Sequence, residues 1–204
     1  MTDPKTIATK IIAALDSAIS STGQATLVVC GGSSPLGVFS ELTRATIDWA
    51  KVTITLVDDR NVPCDHKDSN QALLKKHLLV ENAAAASFMP LSRVVEGLKR
   101  PFTVMLLGMG PDGHFASLFP AMVGDEVAFS TGASPRVIET GPMGNPELPR
   151  ISMNMSMILE SDMVMLIVNG AEKQAVLEKS NGDDSLPIHW LLAQTECKIE
   201  VEIL

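Results

Sequence analysis

A buried strand that ends in a glycine-rich loop constrains the fold of this 204-residue chain more than any other stretch. Phe102–Leu107 is an unbroken apolar run, which is typical of a central parallel strand covered on both faces. The loop then contains three glycines, which permit tight turns and close approach to a ligand: Gly108, Gly110 and Gly113. Asp112 and His114 lie in the same loop, at the strand end where open α/β sheets place their ligands. This stretch predicts an α/β fold with a site at the carboxyl edge of its sheet.

The loop composition by itself leaves the role of the loop open. A glycine-rich turn with an aspartate is often only a turn with a helix N-cap, and a histidine beside Phe115 is often a packed side chain. The glycine spacing does not fit a dinucleotide-binding fingerprint, because Pro111 lies where a helix should already be running. On spacing alone, a structural turn and a functional site are equally consistent with the loop.

The net charge of −8 restricts the partners of the chain. Nucleic acids and anionic membrane surfaces attract basic proteins, so neither is an expected partner. The N-terminal residues lack a basic segment followed by an apolar run, and no apolar stretch approaches the length of a transmembrane helix. We therefore expect a cytoplasmic protein in which residues 1–204 form a single domain.

The cysteine pattern indicates free thiols. Cys30, Cys64 and Cys197 are far apart and show neither a C-x-x-C pair nor metal-ligand spacing. Neither a metal ion nor another cofactor is predicted.

A second glycine-rich loop follows the first predicted strand, Ala25–Cys30. It consists of Gly31, Gly32, Ser33 and Ser34, and Pro35 then begins a predicted helix that runs to Ile47. Free N–H groups at a helix start, two hydroxyl groups and glycines that allow close approach suit a phosphate group. The lysine of a Walker loop is missing. From the residues alone, an anion site and a simple capped helix both remain open.

Charged side chains also follow the second predicted strand, Val52–Val57. Asp59 and Arg60 come directly after it, and a helix is predicted from Asn70 to Leu79. The guanidinium of Arg60 can pair bidentately with phosphate or hold a carboxylate in place. A surface Asp–Arg pair that contributes little is the alternative.

The rest of the chain predicts further strands separated by helices and loops. Helices are predicted from Pro4 and over Gln174–Lys179, and strands over Val137–Glu139, Met163–Val168 and Lys198–Leu204. Loops or turns are predicted for Ala121–Ala133, Gly141–Pro146 and Leu186–Leu191. This alternation, with charged residues just after the strands, indicates an α/β sandwich with a mainly parallel sheet.

The whole segment Leu107–Pro120 is more specific than its glycine spacing. It reads Leu-Gly-Met-Gly-Pro-Asp-Gly-His-Phe-Ala-Ser-Leu-Phe-Pro, which resembles the signature of the 6-phosphogluconolactonases. The related glucosamine-6-phosphate deaminases share the Gly-x-x-Asp-Gly-His core but continue toward Asn-Glu-Pro. The continuation Ala116–Pro120 therefore favours the lactonases.

Other segments resemble the same family. Gly31–Pro35 is similar to the segment that contacts the sugar phosphate in these relatives, and Arg150 and Lys173 match an arginine and a lysine associated with that phosphate. Asp59 stands where the family usually has Glu, so its carboxylate is shorter by one methylene. Between Leu79 and Pro101 the chain is shorter than its relatives, and we expect a more open cleft there.

The resemblance implies a fold and a reaction. The fold is a three-layer sandwich with a mainly parallel central sheet, similar to that of the glucosamine-6-phosphate deaminases, ribose-5-phosphate isomerases and CoA-transferases. The reaction is hydrolysis of 6-phosphoglucono-δ-lactone, in the pentose phosphate pathway. His114 would activate a water molecule and then protonate the departing ring oxygen. Asp112 would orient the imidazole or the loop, and Arg60 would stabilise developing negative charge or bind phosphate.

The resemblance also implies how the remaining site residues are used. The phosphate would be held by Gly31, Gly32, Ser33, Ser34, Arg150 and Lys173. The rest of the cleft would be formed by Asp59, Gly108, Gly110 and Gly113. The expected partner is a small sugar phosphate lactone, and the expected assembly is a monomer or a weak homodimer.

Two alternatives to lactone hydrolysis remain open. The first is an isomerase or deaminase that acts on an amino sugar phosphate, against which the Ala116–Pro120 sequence argues. The second is a non-enzymatic sugar-phosphate sensor domain. Sensors of this kind carry an attached DNA-binding module, whereas the residues before Ala25 indicate a single helix, which is too short for a helix-turn-helix.

Overall fold

A central sheet flanked by helices forms the framework of the protein. The computed structural model, which describes residues 1–204, contains nine strands: β1 (Ala25–Val29), β2 (Val52–Leu56), β3 (Asp58–Arg60), β4 (Ser87–Phe88), β5 (Val104–Gly108), β6 (Val137–Met143), β7 (Leu148–Met153), β8 (Val164–Val168) and β9 (Ile199–Ile203). Its helices are α1 (Pro4–Thr22), α2 (Leu36–Leu42), α3 (Asn70–His77), α4 (Glu126–Phe129), α5 (Met155–Leu159), α6 (Ala171–Lys179) and α7 (Pro187–Ala193). None of these helices is both long enough and apolar enough to cross a membrane.

The six strands of the central sheet all run parallel, in the order β4-β2-β1-β5-β8-β9. From β1 the chain first adds β2 and β4 on one side, and then crosses to add β5, β8 and β9 on the other. The strand order therefore reverses between β1 and β5. In open α/β sheets, the crevice at such a reversal is where ligands bind. The predicted mainly parallel α/β fold is confirmed.

Two apolar cores cover the two faces of this sheet. Leu27 and Val29 of β1 face one core, which α1 and α2 close, whereas Val28 faces the other. The first core depends on an apolar stripe of α1 at helical spacing: Ile7, Ile11, Leu15 and Ile19. The second core contains residues of α4, α5 and α7. The sheet is thus the middle layer of three, as predicted.

A small antiparallel sheet, β3-β7-β6, lies beside the second core. The sequence did not predict it: β3 has only three residues, and β6 extends to Met143, into the loop predicted for Gly141–Pro146. Its strands pair across a long stretch of chain, with Asp58 opposite Ser152 and Arg60 opposite Arg150. Non-local pairing of this kind leaves little signal in local sequence.

Several element ends differ from the predicted ones. α2 stops at Leu42 instead of Ile47, because Asn82 satisfies the carbonyl groups beyond the helix end: its backbone N–H donates to Thr43 O at 3.0 Å and its Nδ2 to Arg44 O at 3.2 Å. Two helices lie in predicted loops or turns. α4 begins where Asp125 accepts hydrogen bonds from the first helical N–H groups, and α7 begins at Pro187.

The hydroxyl oxygen of Thr55, in β2, is buried and makes no hydrogen bond. An unpaired buried hydroxyl loses its hydration and gains nothing in return. We predict that Thr55→Val raises the free energy of unfolding by about 1–3 kcal/mol. Urea denaturation measures the change, and Thr53→Val in the same strand, at a half-buried position, is the matched control with a smaller effect. A Thr55→Val protein less stable than the parent would contradict this account.

Candidate active site

A cavity of about 240 Å³ opens at the carboxyl edge of the central sheet. The loops that follow β1 and β5 form two of its walls, so it lies at the reversal of strand order. Most of the site residues predicted from the sequence line it together: Gly31, Gly32, Ser33, Ser34, Arg60, Gly108, Gly110, His114, Arg150 and Lys173. Asp59, Asp112 and Gly113 do not line it.

The imidazole of His114 is held by Asp112. Nδ1 of His114 lies 2.5 Å from Oδ1 of Asp112, which also accepts a hydrogen bond from the His114 backbone N–H at 3.3 Å. Burial raises the pKa of the Asp112 carboxyl, but its hydrogen bond with His114 and the charge of that ring outweigh burial and lower the pKa overall. An ionised carboxylate only accepts hydrogen bonds, so in the neutral form of the ring Nδ1 carries the proton and Nε2 keeps its lone pair.

The loop around His114 needs glycine at position 110. A Cβ atom there would lie 2.1 Å from Cε1 and 2.2 Å from Nδ1 of His114. The Gly110 N–H donates to His114 O at 2.8 Å, which closes the loop. Gly113 has a φ of 79° and its carbonyl accepts a hydrogen bond from Ile188 N–H at 2.9 Å, so it ties the loop to α7 and does not contact the cavity. Both glycines therefore serve the placement of the imidazole.

Two arginines meet in the cavity from the small sheet. Arg60 of β3 and Arg150 of β7 are directly opposite each other across the two strands. Arg150 is only 4% exposed, and its guanidinium donates to the carbonyl oxygens of Met143, at 2.9 Å and 3.1 Å, and of Pro146, at 2.6 Å. Burial, and then the charge of Arg60, lower the pKa of the Arg150 guanidinium. Like charges in opposite cross-strand positions repel, so this pair is costly when no anion lies between them.

Arg60 is oriented by groups at the start of α3. Its Nη1 donates to Asp68 O at 2.7 Å and to Asn70 Oδ1 at 3.2 Å. The Asn70 amide in turn donates to Asp58 O at 2.9 Å. Gly31 makes this arrangement possible, because a Cβ atom at Gly31 would lie 2.0 Å from Asn70 Oδ1.

Lys173 and the loop after β1 complete the cationic lining. Lys173 lies in the first turn of α6, and neither it nor either arginine of the cavity forms an ion pair with a carboxylate. The backbone N–H groups of Gly31, Gly32, Ser33 and Ser34 donate to no group of the chain. Free amides and three unpaired cations around one cavity are suited to a multiply charged anion.

Asp59 is placed differently from the cleft position expected for it. Its carboxylate lies at the N-terminus of α3, where it accepts from the N–H groups of Asn70 at 2.6 Å and Gln71 at 3.0 Å. Burial raises the pKa of Asp59, and these hydrogen bonds oppose that rise only in part. Because side chains alternate along a strand, Asp58 and Arg60 face the cavity and Asp59 faces away. Asp59 therefore holds α3 against β3.

Nine further cavity residues were not recognised from the sequence as site residues, and four of them have polar or aromatic side chains that the site uses: Asp58, Asn70, Ser117 and Phe119. The hydroxyl of Ser117 donates to Oδ2 of Asp58 at 2.6 Å, which ties the loop after β5 to β3. Ser117 and Phe119 belong to the segment that distinguishes lactonases from deaminases, and that motif was the available signal for them. For Asp58, the only available signal was the alternation of side-chain directions along β3.

The shortened segment from Leu79 to Pro101 contributes nothing to the cavity lining. Its first part packs around β4, at one edge of the central sheet, and its second part packs against β6, where Glu96 accepts a hydrogen bond from Val137 N–H at 2.8 Å. That the shortening opens the cleft stays a prediction.

The fold and the cavity together define an α/β protein with a cationic cleft at the reversal of its sheet. Residues 4–199 match the family model described as glucosamine-6-phosphate isomerases/6-phosphogluconolactonase. The chain belongs to this family.

Individual relatives are similar to the chain over nearly its whole length. A 6-phosphogluconolactonase of Caulobacter vibrioides is 36% identical over 209 residues, which cover 95% of this chain and 89% of the relative. One of Pseudomonas putida is 37% identical, over 89% of this chain and 80% of the relative. The crystal structure of a 6-phosphogluconolactonase from Shewanella baltica superposes with a TM-score of 0.87 at 33% identity, covering 98% of this chain and 92% of that one.

The fold extends to a more distant enzyme. A monomeric glucosamine-6-phosphate deaminase superposes with a TM-score of 0.76 at 16% identity, over 100% of this chain and 95% of that one. This similarity concerns the fold alone.

The thiol of Cys30 lies in the cavity wall but is a poor nucleophile. Burial raises its pKa to about 12, and the neighbouring Asp58 charge acts in the same direction. Because the thiolate is the reactive form, we predict that iodoacetamide at pH 8 alkylates the exposed Cys64 and leaves Cys30 unmodified in the folded protein. Peptide mass spectrometry reads out both sites, and the urea-denatured chain is the control in which both react. Equal labelling of the two thiols before denaturation would contradict this prediction.

Proposed function

We propose that this chain hydrolyses 6-phospho-D-glucono-1,5-lactone to 6-phospho-D-gluconate, the second step of the oxidative pentose phosphate pathway. One observation carries the proposal: an imidazole with a free Nε2 shares a single cavity with three cations that have no carboxylate partner. The substrate needs both features, because it carries a phosphate at one end and an electrophilic ester carbon at the other. Membership of the family and the similarity to lactonases over nearly the whole chain support the same reaction.

The phosphate binds among Arg60, Arg150 and Lys173, with the amides of the loop after β1 as additional donors. A phosphate placed between the two opposed arginines relieves their mutual repulsion. The sequence left Arg60 two roles, phosphate binding and stabilisation of a developing oxyanion. Its position opposite Arg150 favours the phosphate. Binding energy gained at this remote group then orients the lactone carbonyl toward His114.

Hydrolysis proceeds through a tetrahedral intermediate. Nε2 of His114 accepts a proton from a water molecule while the water oxygen forms a bond to the lactone carbon. The carbonyl oxygen becomes an oxyanion as its π bond opens. When this oxyanion re-forms the carbonyl, the bond to the ring oxygen breaks, and the imidazolium returns its proton to that oxygen. The products are a free hydroxyl group and a carboxylic acid, which ionises.

Asp112 has a positioning role in this sequence of steps. Its carboxylate holds the proton on Nδ1, which leaves Nε2 as the basic nitrogen. It also stabilises the imidazolium formed after water attack, because a negative charge lies directly beside it.

An assay of lactone decay tests the proposed function. The rate of disappearance of 6-phosphogluconolactone is followed by NMR with and without the protein, and ammonia release from glucosamine 6-phosphate is measured in parallel. We expect accelerated lactone decay and no ammonia. Ammonia release without faster lactone decay would show that the protein is a deaminase and not a lactonase. No effect on either compound would exclude both activities.

Removal of the imidazole tests its role as the base. We predict that His114→Ala lowers kcat by roughly 10²–10⁴-fold, the usual loss for an acid–base group, with little change in the thermal midpoint. Steady-state kinetics on the lactone and circular dichroism provide the two measurements. His77→Ala, at the end of α3 and outside the cavity, is the control with parental turnover. Parental turnover in His114→Ala itself would exclude His114 as the base.

Removal of the ammonium of Lys173 tests the phosphate site. We predict that Lys173→Ala raises KM for the phosphorylated lactone about 10- to 100-fold, as expected when one charged hydrogen bond of about 1.5–3 kcal/mol is lost. Hydrolysis of unphosphorylated gluconolactone should be unchanged, since that compound carries no anion. Lys179→Ala on the same helix is the control. An equal loss with both lactones would show that Lys173 does not recognise the phosphate.

A further inference from the structure

We infer that Phe119 is a positioning residue for His114: its ring fixes the plane of the imidazole and thereby the direction of Nε2. The inference rests on the proposed function, in which His114 is the base. Phe119 is also the last residue of Ala116–Phe119, part of the motif that separates the chain from the deaminases and to which the mechanism above assigns no step.

The two rings are in direct contact. Their centroids lie 4.6 Å apart with an angle of 40° between the planes, and Phe119 is only 5% exposed. A tight turn brings them together: Leu118 N–H donates to Phe115 O at 3.0 Å, and the chain therefore doubles back, placing residue 119 beside residue 114. The contact is thus part of the folded loop.

The phenyl ring is itself supported on another side by the tip of the β6–β7 hairpin. A Cβ atom at Gly144 would lie 2.8 Å from Cε1 of Phe119 and 3.0 Å from Nη2 of Arg150. The guanidinium carbon of Arg150 lies 5.8 Å from the centre of the Phe119 ring. The hairpin tip and Arg150 therefore both lie against Phe119, whose ring contacts the imidazole of His114.

A second contact is needed because a single hydrogen bond does not fix a ring. The Asp112 carboxylate restrains Nδ1, but the imidazole can still pivot about that bond, and its side chain is 27% exposed. The phenyl face removes this freedom. Because the same phenyl ring contacts Arg150, the base and one of the phosphate-binding cations also keep a fixed separation. Misplacement by about 1 Å can cost roughly 10²-fold in rate, so a rigid support of this kind affects turnover.

Phe119→Leu provides the direct test, since leucine fills similar space without an aromatic face. We expect kcat for the phosphorylated lactone to fall about 10- to 100-fold while KM stays within about threefold. Phe129→Leu is the matched control: Phe129 is a buried phenylalanine that packs edge-on against Phe115 and does not line the cavity. The control should keep the parental kcat.

An NMR signal reports the ring contact without any turnover. The Cε1 proton of His114, assigned by its loss in His114→Ala, should be displaced from the position of a free histidine because of the phenyl ring current. It should move toward the free position in Phe119→Leu and stay in place in Phe129→Leu. If the protein does not hydrolyse the lactone at all, the proposed function fails, and this signal still decides whether the phenyl ring contacts the imidazole.

A second pair of variants approaches Phe119 from the hairpin. Gly144→Ala introduces the Cβ that meets Phe119, whereas Gly124→Ala changes a glycine of similarly positive φ, 92° against 74°, with nothing within 4 Å. Backbone strain is shared by the two variants, so only Gly144→Ala should lower kcat and shift the His114 signal. This pair also supports the test if Phe119→Leu does not fold.

Three results would overturn the inference. A folded Phe119→Leu protein with parental kcat and an unshifted His114 signal would show that the phenyl ring does not position the base. A rise in KM with kcat retained would place its effect on the phosphate side. An equal loss of kcat in Phe119→Leu and Phe129→Leu would show that the effect comes from general packing. An equal loss in Gly144→Ala and Gly124→Ala would show the same.

Discussion

The site depends on three positive charges that the chain leaves without negative partners. The protein as a whole carries a net charge of −8, yet Arg60, Arg150 and Lys173 meet around one cavity with no carboxylate paired to them. Carbonyl and amide oxygens hold the two guanidinium groups in place, and such neutral groups orient a cation without cancelling its charge. The positive charges therefore repel one another across the cavity, and a bound anion would remove this repulsion.

The two sheets contribute different residues to this cavity. The parallel sheet delivers the loops that carry the imidazole and the free amides, and the small antiparallel sheet delivers the arginines. A buried hydrogen bond from Ser117 to Asp58 and the packing of Phe119 against Arg150 join the two parts. Asp59 contributes from the opposite face of β3, where it fixes the start of α3 and with it Asn70. Chemistry at the strand ends thus relies on contacts made between sheets.

Much of the fold and of the site could be predicted from local sequence, and the misses share a physical cause. Apolar runs that end in glycine loops located β1 and β5, and with them His114 and the residues after Cys30. The pairing of β3 with β7 is long-range and leaves no local pattern, so the sequence could not tell which of the two adjacent carboxylates, Asp58 or Asp59, faces the cavity. The short helices α4 and α7 were missed because the residues that begin them, Asp125 and Pro187, are equally typical of turns.

The remoteness of the Leu79–Pro101 segment from the cavity has a practical consequence. Residues 81–88, which form a short helical turn and β4, lie along one margin of the central sheet, and no residue of the segment lines the cavity. Chain length at such an exposed margin is limited only by local packing and the modest entropy of a longer loop. Insertion of a reporter peptide between the exposed Ala84 and Ala85 would thus give a labelled enzyme whose substrate pocket keeps its native shape.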